Sequence, residues 1–297
     1  MQLIDTKSDK SFKKVFGERP HLLMSLLNNF LPLEYPIIEL TYLNPEIIPD
    51  LEDGKNSIVD VRCKDSHGRH FIVEMQIGKQ AGFIKRALLN TSKVYARQLT
   101  QKDKYNLLQP VYSLNLLDHK IEDDEFNWYH HFALTNQQNT SRILDEIHVI
   151  LIELPKWKKM NKFDLEKTRD QWLLYFTEPN HFTMLTKEEL KRFNEISEAI
   201  EVLEPTNLSP ERIRAYELYL DNIRSRETNL YEAKMEGFTE GVAKGEANGE
   251  ARGILKGNNQ TLSIIKDLKD SSNTIESISE KYGVTVEFVR EIQSVLV

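Results

Sequence analysis

Residues 58–77, IVDVRCKDSHGRHFIVEMQI, read as two short strands folded back on each other. This hairpin constrains the fold more than any other stretch. Ser66-His67-Gly68 suits a three-residue loop in which Gly68 takes the left-handed position that closes a bulge. That loop pairs Asp65 with Arg69, and counting back sets Asp60 opposite Glu74. Strand alternation predicts Asp60, Arg62 and Lys64 on one face and Val59, Val61 and Cys63 on the other. On the second strand it groups Ile72, Glu74 and Gln76.

Directly opposed residues have Cβ atoms ~4.5–5.5 Å apart. Two carboxylates that close repel unless a cation or a proton lies between them. A hard divalent cation such as Mg²⁺ suits the pair, because it takes one or two carboxylates and fills its other positions with water and substrate phosphate. On spacing alone, an ordinary solvated face explains the pattern better than a site does, since Arg62, Lys64 and Arg69 lie nearby.

Composition narrows the setting. The chain has 297 residues, 40% hydrophobic and 29% charged, ordinary values for a globular protein with a substantial core. The net charge of −7 argues against a coat of positive charge but leaves room for a local basic patch. With Cys63 as the single cysteine, a disulfide framework and a cysteine-rich metal site are both excluded. The first residues, MQLIDTKSDKSFKK, lack a signal-peptide pattern, and no stretch approaches a membrane span. These features predict a cytoplasmic protein without a membrane partner.

Along the chain, residues 8–31 have helical spacing with a break at Gly17 to Pro20. Residues 82–104 predict one long amphipathic helix with Ile84, Leu88, Val94 and Leu99 on its apolar side. Residues 110–119, 128–136 and 146–154 have the branching and length of strands. The order is that of an α/β or α+β fold. From Asp164 to about Tyr231 the pattern is helical. Glycine then recurs at 237, 241, 245, 249, 253 and 257, followed by helix-like segments at 260–269, 274–282 and 285–295. Each interior glycine costs a helix ~1 kcal/mol relative to alanine. The run is therefore either disordered or helical against a close partner. The terminal segment has a helix-turn-helix outline, but VEFVREIQ carries two glutamates and one arginine, poor chemistry for a DNA groove. Its few apolar positions point to a homo-oligomer formed through the C-terminal segment.

Five blocks carry a resemblance: DKSFKKVFG (9–17), VDVRCKDSHGRHFIVEMQ (59–76), FIKRALLNTSKVYARQL (83–99), YNLLQPVYSLNLLD (105–118) and ELPKW (153–157). In this order they resemble the recombination-promoting nuclease (Rpn)/transposase family of the PD-(D/E)XK nucleases, in its Glu-x-Gln form, over roughly residues 5–175. The resemblance implies a restriction-endonuclease-like core with a central mixed sheet flanked by helices, here followed by a helical C-terminal extension. With the patterns read after it, this divides the chain into a nuclease-like core (1–175), a helical extension (176–231), the glycine-repeat linker or helix (232–258) and a small helical end (259–297). The resemblance further implies a Mg²⁺- or Mn²⁺-dependent DNA endonuclease with Asp60 and Glu74 as metal ligands and Gln76 at the position of the motif lysine. It also makes Asp9, in the first helix, a weaker candidate for a further metal ligand. Arg86, Lys93 and Arg97, on the helix after the hairpin, are candidate DNA contacts, although a solvated face explains them as readily. The literal Pro49-Asp50 precedes a loop and is a decoy.

The departure at position 76 matters. A lysine would supply a cation to stabilise developing negative charge. Gln76 offers only an amide that donates and accepts hydrogen bonds. A degenerate nuclease fold, binding nucleic acid without cutting or serving protein interactions, is therefore the alternative. His130-His131 does not read as a metal pair, because adjacent strand residues face opposite sides.

Overall fold

The computed structural model describes residues 5–47, 57–121, 127–204, 210–270 and 272–296. Pro49-Asp50 and most of the loop after it lie outside the described residues. By its internal contacts the chain forms two compact units, Met1–Tyr216 and Glu217–Val297.

The first unit begins with α1 (Asp9–Phe16) and α2 (Pro20–Phe30), split at the expected break. Ser8 caps α1 by accepting the Ser11 amide, and Pro20 opens α2, where its missing N–H costs nothing. Short strands β1 (Leu40–Tyr42), β2 (Glu46–Ile47) and β3 (Ser57–Ile58) lead into the hairpin of β4 (Val61–Asp65) and β5 (His70–Gln76). Then come α3 (Phe83–Ala96), β6 (Val111–Leu117), β7 (Tyr129–Asn136) and β8 (Asn139–Glu153). Helices α4 (Leu154–Met160), α5 (Thr168–Thr177), α6 (Asn180–Thr183), α7 (Lys187–Leu190) and α8 (Asn194–Leu203) follow.

Six strands form a mixed sheet in the order β1-β4-β5-β6-β8-β7. The β4–β5 hairpin is antiparallel, whereas β5, β6 and β8 run parallel. Because β5 and β6 are parallel, the chain must cross over between them, and α3 makes that crossing. One sheet face packs on α1, α2, α5 and α8 around Phe12, Phe16, Trp172 and Phe176; α3 covers the other. The strands β5 and β6 are buried on both faces, as central parallel strands are. This is the α+β core with a central mixed sheet flanked by helices that the resemblance implied.

The hairpin register is the expected one, with Val61 opposite Val73 and Lys64 opposite His70. The Asp65 amide donates to the Arg69 carbonyl at 3.1 Å, and Gly68 sits at φ 82°. A Cβ on Gly68 would also lie 3.2 Å from Cγ of Gln109. Gly68→Ala is therefore expected to cost at least ~1 kcal/mol in chemical denaturation. An unchanged midpoint would show that the turn does not depend on this conformation.

Two local expectations need correction. Val59 does not share a side with Val61 and Cys63: it packs with Ile72 and Val94 under α3, while Val61 and Cys63 join the opposite core. The chain bends at Asp60, between β3 and β4, so the alternation breaks there. The long helix also ends earlier, at Ala96, where Asp103 accepts from Thr100 to start a turn. Its buried face is Phe83, Ala87, Asn90, Thr91 and Val94, leaving Ile84 and Leu88 exposed.

The second unit lies within and after α9 (Pro210–Leu268), which carries the glycine repeat as continuous helix. Within 4 Å of a Cβ built at any of the six repeat glycines there is no neighbouring atom. The helix ends beside α10 (Ile275–Tyr282) and α11 (Val286–Val295), and Ile264, Ile278 and Val289 form a small core of their own.

Candidate active site

Asp60, Glu74 and Gln76 meet at the carboxyl end of β5. Continuing the register by one pair sets Asp60 opposite Glu74, although the ladder itself stops at Val61. Asp60 Oδ2 instead accepts the Met75 amide at 2.7 Å, tying the bend to the residue after Glu74. Glu74 and Gln76 share the α3 side of the sheet and are both buried.

Helix α3 lies over that row. Arg86 Nη2 donates to Gln76 Oε1 at 2.7 Å and stands 3.8 Å from Glu74 Oε2. One turn on, Asn90 Nδ2 donates to Glu74 Oε1 at 3.4 Å. A further turn brings Val94 against Ile72. The helix thus descends as the strand rises, matching one turn of ~5.4 Å to two strand residues of ~6.8 Å. Lys93 and Arg97 continue away from the carboxylates. Arg97 caps α3, and its charge lowers the pKa of Arg62, itself on the hairpin's first strand, after burial as the larger cause.

From the other side comes α1. Its Phe12, Val15 and Phe16 are locked in the core, which leaves Asp9 and Lys13 on its flank. Lys13 Nζ bonds Asp9 Oδ1 at 2.6 Å and lies 3.7 Å from Asp60 Oδ1. Asp9 therefore does reach the pair, but with its charge already engaged by a lysine.

The electrostatics follow from burial. Desolvation pushes Glu74 up to about 7; Arg86 opposes the shift, Asp60 adds to it and Asn90 opposes it. Asp60 is pushed up to about 6 by burial, against the Met75 amide and with help from Asp9. Lys13 is raised because Asp9 and Asp60 outweigh its burial.

Lys13 and Asn90 were not singled out from the sequence. Lys13 had only its i,i+4 spacing from Asp9, and Asn90 only its place on the turn after Arg86. The two histidines separate as expected: His130 Nε2 meets Glu153 Oε1 at 2.7 Å and His131 Nε2 meets His148 Nδ1 at 2.9 Å. Cys63 is buried, and burial pushes its thiol up to about 12. Among the described residues no group of three or more His, Cys, Asp or Glu could hold a metal ion. No helix among them is long and apolar enough to cross a membrane.

A hairpin bearing an acid and a Glu-x-Gln at the end of a mixed sheet, with a helix crossing over the glutamate, defines the PD-(D/E)XK class of nuclease folds. The family model for PD-(D/E)XK nuclease family transposases matches residues 6–233, more than three quarters of the chain. The protein belongs to this Rpn/transposase-like family. The match runs past residue 175, where the resemblance read from the five blocks stops, and takes in α5 to α8. Among curated proteins and among solved structures nothing matches the chain.

Proposed function

We propose that this protein is a metal-dependent DNA endonuclease that hydrolyses phosphodiester bonds, in a setting of recombination or DNA mobility. The observation that carries this reading is the carboxylate pair at the end of β5, Glu74 buried and Asp60 half-buried, both held above the ordinary carboxylate range where a cation would relieve them. Asp60 and Glu74 would hold the ion, with Asp9 joining only if Lys13 releases it. Two carboxylates fit Mg²⁺ or Mn²⁺, which keep several waters, better than an ion needing a full protein cage. Such an ion lowers the pKa of bound water and polarises a phosphoryl oxygen. Asn90 orients Glu74, and the Met75 amide orients Asp60. Arg86, Lys93 and Arg97 offer phosphate contacts along α3, whose strength falls with salt. Nicking of supercoiled plasmid in Mg²⁺ or Mn²⁺, absent in EDTA and Ca²⁺, is the expected result; no nicking in any metal sinks the reading.

A second reading has its own support. With Asp9 paired to Lys13, Gln76 uncharged and no cluster of three metal-binding side chains among the described residues, the fold could bind nucleic acid without cutting it. Salt-dependent DNA binding in EDTA without cleavage in any metal would establish that alternative.

Self-association belongs to the same proposal. Leu262 and Phe288 stay exposed around the small core of the second unit, so a second copy has apolar surface to cover. A chain ending at Tyr231 is expected to sediment with fewer protomers per particle than the full chain and still cut naked DNA. The same number of protomers per particle for both chains would refute assembly through the C-terminal segment.

A further inference from the structure

The motif position that normally holds a lysine is occupied by Gln76, yet a cation still arrives at that spot. We propose that Arg86 supplies the positive charge of the missing lysine and that Gln76 is the positioning residue that holds it there. This deepens the endonuclease reading and rests on it.

The geometry around Arg86 is specific. Nη2 donates to Gln76 Oε1 and Nη1 to Gln80 Oε1, each at 2.7 Å. The guanidinium carbon stands 5.1 Å from the Phe83 ring centroid, within cation–π range. Gln76 is itself fixed: it is buried, and its amide nitrogen faces the Ile77 and Gly78 carbonyls at 3.4 and 3.5 Å, which turns the oxygen toward Arg86. Both glutamines are neutral acceptors. They orient the guanidinium without cancelling its charge, as a carboxylate partner would. The Glu74 contact, at 3.8 Å, is the longer one. A guanidinium has five donors, so several remain after the two glutamine bonds, and the side chain is 42% exposed. Lys13 is the rival cation, but it bonds Asp9 and also faces Asp60, so two carboxylates already offset its charge.

In phosphodiester hydrolysis a water oxygen bonds to phosphorus and the bond from phosphorus to the leaving sugar oxygen breaks. The water gives up a proton to solvent and the leaving oxygen takes one up. Arg86 makes and breaks no covalent bond in this scheme. It hydrogen-bonds a non-bridging phosphoryl oxygen as negative charge grows there, which planar guanidinium donors do well.

The test uses the full chain, with circular dichroism melts to show that each variant folds. Arg86→Ala is expected to lower kcat at least about a hundredfold and to raise KM about tenfold, since the guanidinium also holds the phosphate in the ground state, and Arg86→Lys to recover part of both. Gln76→Ala should cost about tenfold alone and nothing further in the Arg86→Ala background, because Gln76 acts through Arg86. Gln76→Lys combined with Arg86→Ala should regain at least tenfold over Arg86→Ala. Arg86→Ala cutting within threefold of wild type overturns the proposal, and so does a loss that Gln76→Lys fails to recover. If wild-type protein cuts in no metal, the endonuclease reading fails separately. Binding of a fluorescent 20-base-pair duplex in Ca²⁺ then decides the role of Arg86. About tenfold weaker binding in Arg86→Ala that Gln76→Lys restores supports it, and unchanged binding overturns it.

Discussion

Asp60→Ala and Glu74→Ala are each expected to lower plasmid nicking at least about a hundredfold while the protein stays folded, because each removes a carboxylate proposed to hold the cation at the sheet's end rather than core volume. The double variant should be little worse than either single one, since two ligands of one ion act as a unit. Glu74→Gln sharpens the test because it keeps shape and removes charge. The folded-state pKa of Glu74, about 7, lies above the ordinary carboxylate value, so the metal-free fold binds its proton more tightly than the unfolded chain does. That contribution is complete below pH ~4.5 and is lost as pH rises through 7. In EDTA at pH 8, Glu74→Gln should therefore be more stable than wild type, by on the order of 1–3 kcal/mol, with the gap closing toward pH 5. A variant that is inactive but less stable at pH 8 would mean that Glu74 serves the fold instead of an ion.

The second large effect lies beside the site. Lys156 and Glu153 are fully buried, with Lys156 Nζ 2.8 Å from Glu153 Oε1 and 3.2 Å from the Asn127 carbonyl. Glu153 Oε1 also meets His130, while Oε2 accepts the Ile121 amide at 2.8 Å. Every oxygen of the buried carboxylate is thus used, which is the condition under which such a pair is tolerated. Glu153 is level with Leu117, and Leu117 with Gln76, so the network supports the same end of the sheet as the carboxylate pair. Lys156→Ala takes the lysine partner from the buried Glu153 carboxylate, and is expected to cost about 3–5 kcal/mol in denaturant unfolding. Lys156→Met with Glu153→Leu should restore most of that. A loss below about 1 kcal/mol for Lys156→Ala would show that water reaches Glu153 and replaces the lysine.

What the sequence made legible is mostly local. The hairpin register could be counted because Gly68 closes a loop of fixed length, and the register then places Asp60 beside Glu74. The face of α3 could not be read the same way. Its buried side is built from Ala87, Asn90 and Thr91, small or polar residues that hydrophobic periodicity passes over, while Ile84 and Leu88 face outward. Asn90 is inside because Glu74 needs a donor there, a reason that exists only once strand and helix are stacked. Lys13 is similar: its two carboxylates come from sequence positions 9 and 60. The bend at Asp60 was hidden because alternation assumes an unbroken strand. In the tail, glycine propensity argued against an isolated helix, yet the segment runs as continuous helix.

The central claim is that Asp60 and Glu74 bind a divalent cation, and calorimetric titration of Mn²⁺ into the full-length protein at pH 7.5 tests it without requiring any cutting. The account predicts saturable binding in wild type that is lost in both Asp60→Ala and Glu74→Ala. Wild-type affinity in either variant would contradict it.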